Sequence, residues 1–175
     1  MDDDNYWKVY HLVDQYWQSM MELSYILRAR LGELVAIRMD DVFDDGIFFQ
    51  RTKGSIGEVT LWSDRLRKAF DYLASQRPHP DAPFLLYDKD GTRPPPEDPR
   101  YPHKSEALAD KLSDRWKDRL YYRVNTGKLQ PEERFTFHDL KAKGISDHKN
   151  EHSGHRTITA KKRYLRKIPK IEATR

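Results

Sequence analysis

The chain has 175 residues, enough for one domain with a proper core and too few for two. Hydrophobic residues make up 37% and charged residues 34%; no apolar run approaches the roughly 18 residues of a membrane span, and no signal-peptide segment leads the sequence, so a soluble, cytoplasmic protein is expected. Cysteine is absent, which excludes disulfides and thiolate metal sites, and the formal charge of +4 is unevenly spread, with eight Lys/Arg against one acid (Glu172) from Arg156 to Arg175.

Residues 5–27 read as one helix, with Trp7, Tyr10, Val13, Trp17, Met20, Met21, Ser24 and Leu27 at three- and four-residue spacing and no Pro or Gly. A short helical piece follows over 31–38, and the acidic stretch DDVFDDG after it is turn chemistry. The runs IFFQRT and GEVTLW, on either side of KGSI, predict a β-hairpin. Ser63 caps a helix that carries Leu66, Ala69, Phe70 and Leu73 on one face. Eight of the ten prolines lie between 78 and 102, which predicts an extended surface loop, with FLLY at 84–87 as a short buried piece within it. Helix resumes from Ser105 to Val124 on Leu108, Leu112, Trp116 and Leu120. A last core helix is predicted near 136, where Thr136 and Asp139 have the spacing of a capping box. Residues 146–157 contain no apolar side chain and read as loop, and a short basic helix holding Tyr164 precedes a tail broken by Pro169.

Four of the seven histidines lie between His138 and His155, spaced His-x9-His-x3-His-x2-His. That spacing, without cysteine or a paired-helix motif, is a poor match to a zinc site, and no metal or other cofactor is expected. His138 by itself fits a backbone-bonded core or interface histidine better than a functional one. Arg30 precedes a short amphipathic helix, and its fork of donors suits a phosphate. Lys53 sits at the hairpin tip. Tyr164 is flanked by Lys161, Lys162 and Arg163, with Arg156 and His155 upstream. Cations of this kind attract a phosphodiester and stabilise a phenolate, so this tyrosine is a candidate nucleophile; as a stacking aromatic it equally fits non-catalytic nucleic-acid binding.

Taken in order, ARLGELVAIRMDDV, RTKG, FHDLK, SGHR and RY resemble the catalytic domain of tyrosine recombinases of the phage-integrase type. The first arginine box matches at Arg30, Glu33 and Leu34, the hairpin lysine at Lys53, the HDLR box at His138, Asp139 and Leu140, and the glycine–histidine pair at Gly154 and His155. The family's tyrosine lies nine residues beyond that histidine, where this chain has Tyr164. The resemblance implies a mainly α fold with a small antiparallel sheet over residues 1–167, the Pro-rich loop 78–103 within it, and a basic tail over 168–175. The family's N-terminal DNA-binding domains are expected to be missing.

For activity, the resemblance implies cleavage and rejoining of double-stranded DNA. Tyr164 would form a 3′-phosphotyrosyl link, Arg30 and the residue at 141 would hold the non-bridging oxygens, Lys53 and His138 would handle protons, and His155 would bond the phosphate. Arg156, Lys161, Lys162 and Arg163 would contact DNA, and assembly as a tetramer on DNA, in a prophage or other mobile element, would follow. Three departures stand out: Lys141 replaces the second arginine, Arg28 replaces a small residue, and His155 lies only 17 positions beyond His138. They point to impaired or absent recombination activity. The second expectation is a non-catalytic nucleic-acid-binding module using the basic C-terminal segment.

Overall fold

A computed structural model describes residues 1–50, 57–149 and 170–174. The expected first helix is two. Helix α1 spans Asp3–Leu12 and α2 spans Gln15–Leu27. The apolar spacing runs unbroken through the junction, but local hydrogen bonding stops the first helix and starts the second. Asp14 accepts from the Trp17 backbone N–H at 3.2 Å, while the Gln18 side chain donates back to the carbonyls of Tyr10 and Val13. The break lets α1 fold over α2, where Tyr6 and Val9 are buried.

Helix α2 is the centre of the fold, with an unbroken buried run from Ser19 to Leu27. It packs against α4 (Asp64–Ser75) and α6 (Phe137–Asp147). Helix α3 (Leu31–Leu34) is shorter than expected and packs on α5 (Glu106–Asn125). Ser63 caps α4 as its sequence predicts, and Ser105 caps α5. Glu22, buried on α2, accepts two hydrogen bonds from Arg65 of α4 at 2.8 Å and one from the Tyr6 hydroxyl of α1 at 2.7 Å, so one carboxylate ties three helices together. Burial first, and the Glu22 charge second, push the Tyr6 phenol far above its usual range.

Strands β1 (Gly46–Phe49) and β2 (Glu58–Leu61) form the expected antiparallel pair, in register Ile47–Thr60 and Phe48–Val59. The sheet has a third strand, drawn from the expected basic tail. Strand β3 (Lys170–Ile171) lies parallel to β2, pairing Val59 with Lys170 and Thr60 with Ile171. Just beyond it, the buried Thr174 hydroxyl accepts from Arg28 Nη1 at 2.9 Å.

Two contacts fix where α6 begins and how closely it lies on α2. The fully buried Trp116 of α5 donates its indole N–H to the Phe135 carbonyl at 2.8 Å and packs among Trp17, Phe135 and Phe137. Gly144 sits so close to α2 that a Cβ there would lie 2.1 Å from the Tyr25 carbonyl oxygen. The two helix backbones meet at that point, and only glycine leaves room.

Candidate active site

The junction between α2 and α3 sets the first wall of the site. Arg28 ends α2 in the left-handed region, at φ 53°. The chain turns there, and Arg30 becomes the residue that starts α3. Its backbone N–H donates to Glu33 Oε2 at 2.7 Å, which secures the first turn while the Arg30 side chain stays exposed.

The start of α6 is the second wall. Thr136 and Asp139 form the predicted capping box. Asp139 Oδ2 accepts from the Thr136 N–H and hydroxyl, both at 2.7 Å, and the Asp139 N–H points back at the Thr136 oxygen. Burial opposes the Asp139 charge, but the Thr136 hydrogen bonds outweigh it and hold the carboxyl below its usual range. Phe137 anchors the first turn in the core and leaves His138 exposed.

Arg30 and His138 line one cleft of about 620 Å³. Its other polar walls come from Glu33, from the start of α5 (Ser105, Glu106, Asp110, Ser113), and from Glu97 and Lys104 of the Pro-rich loop. Cations and carboxylates therefore share the rim.

Lys141 does not join Arg30 at the cleft surface. It lies one turn beyond His138 and its side chain is 6% exposed, with Nζ 3.1 Å from Glu33 Oε2. That oxygen is the one that receives the Arg30 N–H. Lys141 therefore neutralises the carboxylate that frames Arg30, and a buried charge of this kind needs such a partner. Lys141, expected to hold phosphate oxygens, thus places its ammonium against Glu33. Lys143, two residues further on, is bound to Asp3 at 2.5 Å and Asp147 at 2.9 Å, which ties α1 to α6.

Arg28, where the resemblance leads one to expect a small residue, is fully buried. Its Nη1 donates to the Ile26 carbonyl and Thr174, and Nη2 lies 3.6 Å from Glu58 of β2. The large cation is accommodated because the sheet and the C-terminal segment meet it. Lys53, His155, Arg156, Lys161, Lys162, Arg163 and Tyr164 lie outside the described residues. Lys104 was missed in the sequence, since a lysine in a Pro-rich loop carries no local signal of facing a cleft. Among the described residues no cluster of three or more His, Asp or Glu is arranged to hold a metal ion, and no helix is long and apolar enough to cross a membrane.

This arrangement of helices and sheet is the fold of an integrase-type catalytic domain of the tyrosine recombinases. In particular, the chain is similar to the crystal structure of XerA recombinase, with a TM-score of 0.63 and 16% identity over 90% of this chain and 56% of that one. It is also similar to the lambda integrase catalytic core, with a TM-score of 0.58 and 16% identity over 86% of this chain and 87% of that one. This chain thus spans little more than half the length of the XerA chain. No protein-family model matches the sequence, and no curated protein matches it.

Proposed function

We propose that this domain binds double-stranded DNA at the Arg30–His138 cleft and carries out recombination-type strand cleavage, with Tyr164 as nucleophile, at an impaired rate. The observation that supports this most is the convergence of Arg30 and His138, from helices more than a hundred residues apart in sequence, on one cleft in a fold shared with a recombinase and an integrase. In the reaction the Tyr164 oxygen attacks the DNA phosphorus and the bond to the 5′-oxygen breaks. The 3′-phosphate is then held on the tyrosine and a 5′-hydroxyl leaves. Arg30 would offset charge on the non-bridging oxygens, and His138 would exchange a proton with them or with the leaving oxygen.

The impairment follows from Lys141. A lysine ammonium is a point charge, and here it is directed at Glu33. An arginine fork in its place has enough donors to engage Glu33 and a phosphate oxygen together. Losing one such donor costs about 10²–10³ in rate.

A nicked duplex that traps the cleaved intermediate provides the test. The wild-type chain should accumulate a covalent protein–DNA adduct slowly. Arg30→Ala should abolish the adduct, and Lys141→Arg should speed its formation by up to about 100-fold. DNA binding without any adduct, lost on replacing Lys161, Lys162 and Arg163, would overturn catalysis in favour of a non-catalytic binding module.

A further inference from the structure

Resting on that reading, we propose that Lys104, carried by the Pro-rich loop, is a DNA-phosphate contact of this cleft and takes up the electrostatic role that Lys141 leaves. Among the described residues that line the cleft, Arg30 and Lys104 are the only lysine or arginine side chains, and they face the carboxylates Glu97, Glu106 and Asp110. A phosphodiester entering there meets repulsion from three acids. With Lys141 neutralised by Glu33, Arg30 alone is a thin counterweight.

The loop is fastened in a way that fixes where Lys104 emerges. Arg93 lies 3.8 Å over the Phe84 ring and donates to the carbonyls of Leu86 (3.1 Å) and His103 (2.7 Å). Ser105, fully buried, donates to the Pro94 carbonyl at 2.9 Å and caps α5. These bonds hold both sides of the 94–103 excursion, and consecutive prolines stiffen its start. The Lys104 N–H donates to the Tyr101 carbonyl at 3.0 Å. Its ammonium rests 3.8 Å from the centre of the Tyr101 ring, which is itself exposed. An exposed ring face competes weakly with a phosphate for an ammonium, so the cation is available to DNA at little cost.

The test is the salt dependence of duplex binding by the full chain, read by fluorescence anisotropy with a labelled DNA duplex. Each phosphate contact contributes about one to the slope of log K against log salt. Lys104→Ala should lower the magnitude of that slope by about one and slow adduct formation, and Lys104→Arg should restore both. If Lys104→Ala keeps the wild-type slope while Arg30→Ala loses about one, the Lys104 contact is wrong and the cleft reading stands. If neither variant changes the slope, DNA does not occupy this cleft and both ideas fall. Circular dichroism of Lys104→Ala should match wild type, since among the described residues the side chain has no hydrogen-bonded core partner to lose.

Discussion

Arg28 and Arg30 stand two residues apart and are put to opposite uses. Arg28 is sealed inside, bonded to the Ile26 carbonyl and Thr174 and facing Glu58. Arg30 is exposed on the wall of the cleft. The left-handed turn at Arg28 separates the two: it ends α2 with one cation pointing at the sheet and restarts the chain with the next pointing at the cleft. An arginine beside an apolar helix is therefore an ambiguous signal. Its destination depends on which carboxylates and carbonyls the distant chain brings to it, and here those are Glu58 and Thr174 for one and the open cleft for the other.

The largest effect that would break the comparison is on stability. Arg28→Ala removes a fully buried cation from its contacts with Glu58, Thr174 and the Ile26 carbonyl, and should destabilise the fold by about 3–5 kcal/mol in chemical denaturation. Arg30→Ala should stay within about 0.5 kcal/mol of wild type while removing adduct formation. Equal costs for the two would refute the division between a structural and a functional cation.

A smaller effect tests the placement of the second wall. Gly144→Ala forces a methyl against the Tyr25 carbonyl and should cost about 1–3 kcal/mol. Because α6 carries His138, the displaced helix should also lower activity beyond the loss of folded protein. A stability cost below about 0.5 kcal/mol would show that the helices are not in contact there.

The smallest effect concerns the loop behind Lys104. Asp88, buried beneath Lys111 and Arg115, works against desolvation, yet hydrogen bonds from those two cations bring its carboxyl down to about 2 from 3.8. A depressed carboxyl stabilises the fold above its unfolded value and loses that contribution as pH falls through the folded one. Wild type should therefore lose stability between about pH 4 and pH 2 in excess of Asp88→Asn, whose stability should be flatter in that window. Parallel pH profiles would remove Asp88 from the anchoring of the loop.

Much of this fold was legible in sequence where one segment carries its own instructions. Leu108, Leu112, Trp116 and Leu120 define the buried face of α5, and Ser63 and the Thr136–Asp139 pair mark helix starts by local bonding. What escaped depended on partners far along the chain. The break at Asp14 interrupts an apolar spacing that continues unchanged on both sides. Strand β3 is two residues long and exists through pairing with β2, more than a hundred residues earlier. The direction of Lys141 is set by Glu33, and nothing near residue 141 reveals it. For the site, Arg30 and His138 were found through a resemblance of ordered motifs and do line one cleft; Lys104 was not found because its orientation comes from Arg93, Ser105 and Tyr101 acting together.

In the proposed function the Arg30–His138 cleft delivers a DNA phosphodiester to Tyr164. Peptide mapping of the covalent product from a nicked duplex tests it most directly. The expected product is a nucleotide-bearing peptide that contains Tyr164 and disappears in both Tyr164→Phe and Arg30→Ala. A product linked through another residue, or one that persists in Tyr164→Phe, would contradict it.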